Sequence, residues 1–149
     1  MKQGAIPGLL LLIGITAAAA SAAQKPETLA EMKARATQVP LEERVRICAG
    51  IARRAVDEAK DQYAKGVEEE GKLLLRDAEA YADQAADAAI QTKKHEKQLE
   101  IDLRDISHHL EALKRELAPE DQPYAAAAAG HIEKLRTRLL ESMFGKDKR

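Results

Sequence analysis

The chain has 149 residues, 33% of them charged with a formal net charge of −1, 45% hydrophobic and only 3% aromatic, with no Trp and one Cys. So even a charge balance gives no electrostatic case for nucleic acid, and a single Cys excludes an intramolecular disulfide. Abundant Ala, Glu, Lys, Arg and Leu, with few β-branched runs, predict an all-α protein.

The first 23 residues read as a cleavable export signal. Lys2 is a basic start, Ile6 to Thr16 an apolar run, and Ala17 to Ala23 a small-residue stretch offering cleavage after Ala22 or Ala23. An uncleaved membrane anchor is the alternative, because the stretch from Ile6 to Ala23 falls at the low end of the ~17 to 25 residues that span a bilayer. Its last third is alanine, which suits cleavage better than anchoring. No Cys lies near the cleavage point to carry a lipid; the only one is Cys48. The expected protein is exported, periplasmic or secreted, with no stable membrane insertion after signal cleavage. Removing 23 of the 149 residues leaves 126, with 23 basic and 25 acidic side chains and a net charge of −2, the size of one domain.

Residues 24–39 form a short lead, in which Thr28-x-x-Glu31 offers a capping box to a helix carrying Leu29, Met32 and Ala36. Val39-Pro40 ends it. Pro40 suits the first position of the next helix, and Glu42 and Glu43 complement its dipole. The helical domain then runs over 40–145. Val45, Cys48, Ala52, Ala55 and Ala59 recur at spacings of three and four, which places Cys48 in the core, until Tyr63-Ala64-Lys65-Gly66 supplies a stop. The pattern resumes through Leu74, Ala78, Tyr81, Ala85, Ala88, Thr92, His95, Leu99, Leu103, Ile106, Leu110, Leu113 and Leu117, with a heptad slip near the polar Thr92 and His95. Ala118 to Pro123 is a turn. A last helix carries Tyr124, Ala128, His131 or Ile132, Leu135, Leu139 and Met143, closed by Gly145, and residues 146–149 are a charged tail.

With no Gly or Pro after Gly71 to interrupt it, the middle segment predicts one continuous helix. At ~1.5 Å per residue the three long helices would run about 36, 76 and 38 Å. The resulting architecture is a pair of antiparallel helical hairpins on one long, coiled-coil-like central helix. The alternative is a four-helix bundle, with that helix broken near Thr92–His95. Ala49, Gly50, Ala52, Ala55 and Ala59 would face Ala78, Ala82, Ala85 and Ala88 in a close seam.

On the rod, Leu99, Leu103, Ile106, Leu110, Leu113 and Leu117 make an apolar stripe only half covered by the last helix, so they are the expected interaction face for a protein partner or a second copy in a homodimer. Glu42–Arg46, Glu68–Lys72, Glu100–Arg104 and Glu111–Arg115 are expected surface pairs four residues apart. Asp105 and His109 share one helix face and, with His95 and His108, are the weak candidates for a metal. No Glu-x-x-His pair repeats on a second helix, and Ser107 beside His108 does not face it, so no cofactor and no catalytic group is expected.

Ala59, Tyr63, Gly66, Gly71, Leu75 and Ala78 resemble the small-and-large pattern of one tetratricopeptide-type helix hairpin over about 25 residues. Asp83 stands where that pattern closes with Pro, and no second repeat follows. Leu117 to Gln122 is similar to the Leu-Thr-x-x-Gln element of small periplasmic helical chaperones, with one extra residue before Gln. The sequence as a whole reads as a non-enzymatic exported helical protein acting by protein–protein interaction or self-association. A holdase-like chaperone or a metal or small-ligand binding helical protein is the alternative.

Overall fold

The computed structural model describes residues 25–145, all of its regular structure helical: α1 (Leu29–Ala36), α2 (Leu41–Ala64), α3 (Glu68–Thr92), α4 (Glu96–Glu116) and α5 (Gln122–Phe144). The expected signal segment, 1–23, and the charged tail, 146–149, lie outside the described residues. The all-α class predicted from composition is what the structure shows.

Each end of the first helices has a local chemical cause. The Thr28 hydroxyl accepts from the Glu31 N–H while the Glu31 carboxylate accepts from the Thr28 N–H, so the capping box at α1 is complete. Pro40 lies one position earlier than predicted: it is the N-cap of α2, and its carbonyl accepts from the Arg44 N–H at 3.0 Å. α2 ends in a Schellman motif, with the Gly66 N–H donating to Tyr63 O (3.0 Å) and the Val67 N–H to Gln62 O (2.9 Å). That geometry needs a left-handed residue, which Gly66 supplies at φ 76°.

The continuous central rod does not form. The chain reverses over Lys93 to His95, with Lys93 (φ 56°) and His95 (φ 62°) both left-handed. The Thr92 hydroxyl turns back to Ala88 O at 2.7 Å, and the Lys94 N–H donates to the same hydroxyl at 3.3 Å. Two such residues cost about 1 to 3 kcal/mol each. Folding back buries Leu99, Leu103, Ile106, Leu110 and Leu113 to 3% exposure or less, and each full burial of such a side chain contributes about 1.5 to 3 kcal/mol. Burial wins, and the four-helix alternative is the one observed.

The long helices form two antiparallel hairpins, α2 with α3 and α4 with α5, as the pairs Cys48–Gln84 and Glu100–Arg136 show. The hairpins stack so that α2 runs parallel to α4, with Arg53 on Asp105 and Lys60 near Glu116, and α3 runs parallel to α5, with Asp83 on His131 and Asp87 on Arg138. α1 packs on α2 and reaches α3 through Lys33, which donates to Asp77 at 2.5 Å.

Two kinds of core result. Ala52, Ala55 and Ala59 meet Ala78, Ala82 and Ala85 in an almost solvent-free Ala seam between α2 and α3, as expected from their spacing. Gly50 is not part of it: its nearest side chain is Met32 of α1. The Leu stripe of α4 packs with Ile132, Leu135 and Leu139 as the other half of the core. The predicted interaction face is therefore interior; only Leu117 stays half-buried. The reason is the break at Lys93 to His95, which turns onto the bundle the face that a rod would have offered to another chain. No helix among the described residues is long and apolar enough to cross a membrane.

Candidate functional site

The seam between α2 and α4 is where chemically versatile side chains collect. Three cavities open along the line where parallel α2 and α4 meet. The first, about 360 Å³, has Ala49, Gly50 and Ile106 among its walls, with Arg46, Arg53, Gln98, Asp102 and Asp105 around it. A narrow one of about 40 Å³ lies among Val56, Asp57, Lys60, His109, Ala112 and Leu113. The third, about 210 Å³, lies at the end of the bundle between Tyr63 of α2, Glu68 of α3, Leu113 and Leu117, and the turn before α5.

Arg53 separates the first two. Its guanidinium binds the Asp105 carboxylate through Nη1 and donates through Nη2 to His109 Nε2 at 3.0 Å. His109 Nδ1 lies 2.8 Å from the Asp105 carbonyl oxygen. An arginine only donates, so in this pair Nε2 is the acceptor and Nδ1 faces the carbonyl as the donor. The i, i+4 pair Asp105 and His109, weakly suggestive of a metal in the sequence, is thus brought together as predicted but holds a guanidinium.

The other candidates do not join it. His95 sits in the α3–α4 turn with Nε2 3.7 Å from Glu42, and His108 is exposed on the other side of α4. His131, half-buried on α5, meets Asp83 at 2.9 Å. Among the described residues no three His, Cys, Asp or Glu side chains converge as metal ligands.

The end cavity contains groups that sequence reasoning missed. Tyr63 closes it from α2, and its Oη is buried with no hydrogen-bond partner. Burial raises the phenol pKa, and the negative charge of Asp121 raises it further. Asp121 is the N-cap of α5, yet its side chain makes no cap bond; the residue is 4% exposed and lines the cavity, and its backbone bonds to Ala118 and Tyr124, while the Lys72 ammonium is a neighbouring charge of its carboxylate. An N-cap Asp ordinarily accepts from the first turn of its helix, and this one, at φ −96° and ψ −18°, is not in the extended conformation that capping uses. Lys60 reaches across the mouth to Glu116 at 3.5 Å.

Outside the seam, Glu100 is the one buried carboxylate of α4. Arg136 donates to its Oε1 at 2.7 and 3.1 Å, and Arg104 to its Oε2 at 2.7 Å. Burial pushes this carboxyl up, but the two guanidinium groups outweigh it and hold it below the usual range. Of the four predicted i, i+4 pairs only Glu100–Arg104 forms; Lys72 turns to Glu69, Lys114 to Glu111 and Glu42 to His95. Comparisons with known protein families, with curated proteins and with solved structures return no match.

Proposed function

We propose that this is an exported, non-enzymatic helical bundle that works by binding a small ligand along the seam between α2 and α4. The observation that carries the reading is the opening of three cavities along that one seam, beside an Ala seam and a Leu core that are almost free of solvent. Its versatile groups are arranged to hold rather than to transfer: both nitrogens of His109 are engaged, and Arg53 and Lys60 are each joined to a carboxylate on α4. Such ion pairs can exchange partners with an incoming charged group at little net loss, since exposed pairs contribute only about 0 to 1 kcal/mol.

The test is a backbone amide spectrum of residues 24–149 titrated with a panel of small charged and amphipathic molecules. Shifts concentrated on Ala49, Arg53, Leu113 and Leu117 are expected; a panel that moves no seam resonance, or moves only α3 and α5, overturns the reading. Export is tested by sequencing the N-terminus of the protein from its host's envelope or medium, which should begin at Ala23 or Gln24. Recovery only from the cytoplasm with Met1 in place overturns that part.

A further inference from the structure

We propose that the end of the bundle at which α3 turns into α4 docks on an anionic lipid surface, with Phe144 and Leu140 entering the interface and Lys93, Lys94 and Lys97 meeting the headgroup charge. This surface lies outside the α2–α4 seam, so it stands or falls independently of the ligand reading.

The exposed large hydrophobic side chains gather toward two ends. Val67, Leu73 and Tyr124 lie around the first turns of α3 and α5, and Ile101, Leu140 and Phe144 lie toward the opposite end. The antiparallel register of α4 and α5, set by Glu100 on Arg136 and Glu96 on Ser142, brings Leu140 level with Lys97 and Phe144 level with Lys93. Leu140 and Phe144 follow Arg136 at intervals of four, on the stripe of α5 that meets the edge of α4. Lys97 and Ile101 are likewise one turn apart on α4. Phe144 is 71% exposed, more than any other large hydrophobic side chain among the described residues. Such residues scattered singly are ordinary, whereas a group of them in one place marks a contact surface.

Charge distinguishes the two ends. Val67 and Leu73 stand beside the exposed Glu68, Glu69 and Glu70, whereas Phe144 and Leu140 stand beside the exposed Lys93, Lys94 and Lys97. Lys93 donates to Ser142 at 2.5 Å, which ties the basic turn to the last turn of α5. The acid within that turn, Glu96, is turned inward onto Ser142 with its side chain only 12% exposed, and Glu42 of α2 faces His95. Segments 93–97 and 140–149 carry six cations, Lys93, Lys94, Lys97, Lys146, Lys148 and Arg149, against the three acids Glu96, Glu141 and Asp147, in a chain whose net charge is −1. A lipid surface uses both features at once: apolar side chains enter the interface while lysine stems extend their ammonium groups to the phosphates. A nucleic acid would engage the cations and leave Ile101, Leu140 and Phe144 in water.

Co-sedimentation of residues 24–149 with vesicles of phosphatidylcholine, and with vesicles of phosphatidylcholine and phosphatidylglycerol in equal parts, tests this. The mixed vesicles should be bound at least tenfold more tightly, and the difference should shrink as salt rises. Phe144→Ser should weaken that binding at least fivefold without lowering the unfolding midpoint, and Lys94→Gln combined with Lys97→Gln should weaken it by a similar factor. Leu73→Ser, at the acidic end, should leave it unchanged. Equal or absent binding to the two kinds of vesicle, full binding by Phe144→Ser, or an equal loss in Leu73→Ser overturns the proposal. So does tighter binding to poly-glutamate than to the mixed vesicles, which would assign the cations to a soluble acidic partner.

Discussion

The ring of Tyr63 occupies the space that a β carbon on Gly71 would need, with an ideal Cβ falling 2.7 Å from Tyr63 Cε2. Gly71 is buried near the start of α3, and its missing side chain lets the end of α2 lie against it. Gly71→Ala should therefore destabilise the protein by about 1 to 2 kcal/mol, overpacking outweighing the better helix propensity of Ala. Gly130, in α5, has nothing within 4 Å of its Cβ position. Gly130→Ala should stabilise by about 0.5 to 1 kcal/mol. Paired urea titrations check the opposite signs; two changes of the same sign would contradict the Tyr63 packing.

Leu103 is fully buried and Leu73 is 53% exposed. Leu103→Ala should lower stability by about 2 to 5 kcal/mol, and Leu73→Ala by less than about 0.5 kcal/mol. Because the stripe is interior, dilution should leave the unfolding midpoint of the parent protein unchanged. A midpoint that rises with protein concentration would place the stripe between two copies instead.

Glu100 sets an acid limit. Its folded pKa lies below its ordinary value of 4.5, so its contribution is complete above the unfolded pKa and is lost as pH falls through the folded one. Unfolding free energy should therefore decline below about pH 4.5. Glu100→Gln should lower stability by about 2 kcal/mol at neutral pH and flatten that acid limb. Denaturant titrations from pH 7 to pH 3 give both quantities.

Cys48 has no exposed surface, and burial pushes its thiol up to about 11, the nearby Arg44 charge lowering it only in part. The thiolate is the reactive form. Native protein at pH 8 should react with an aromatic disulfide reagent only as fast as it opens, with full reaction on adding denaturant. Prompt labelling of the folded chain would contradict the burial.

Lys93 and His95 carry the strain of the α3–α4 reversal. His95→Gly should raise stability by about 0.5 to 1 kcal/mol, relieving a left-handed β-carbon clash at the loss of one exposed contact to Glu42. His95→Val should lower it. Thermal melts of the two variants check the ordering.

What could be read from the sequence follows from the range of each interaction. The capping box at Thr28 and Glu31, the Gly66 stop and the burial of Cys48 are set by neighbours within one or two turns, and local spacing reveals them. The break after Thr92 has no such signature, since no Gly, Asn or Pro stands between Thr92 and Glu96; only the heptad slip marks the place. The outcome is decided by Leu99 to Leu113 finding α5, a tertiary term that outweighs propensity. The site was legible only in part. Asp105 and His109 stand together on one helix, but the group they hold, Arg53, comes from α2, more than fifty positions earlier. Asp121 looked like an ordinary turn residue because an N-cap that does not cap has the same sequence as one that does.

The stacking of two hairpins has a consequence for how the chain reaches this state. α2 meets α3 across three residues, and α4 meets α5 across a short turn, so most of the close packing joins segments adjacent in sequence. Such a topology has low contact order, and helical domains of this kind fold in about microseconds to milliseconds. The α2–α4 boundary, with its line of cavities, should then be among the first contacts to open in local unfolding.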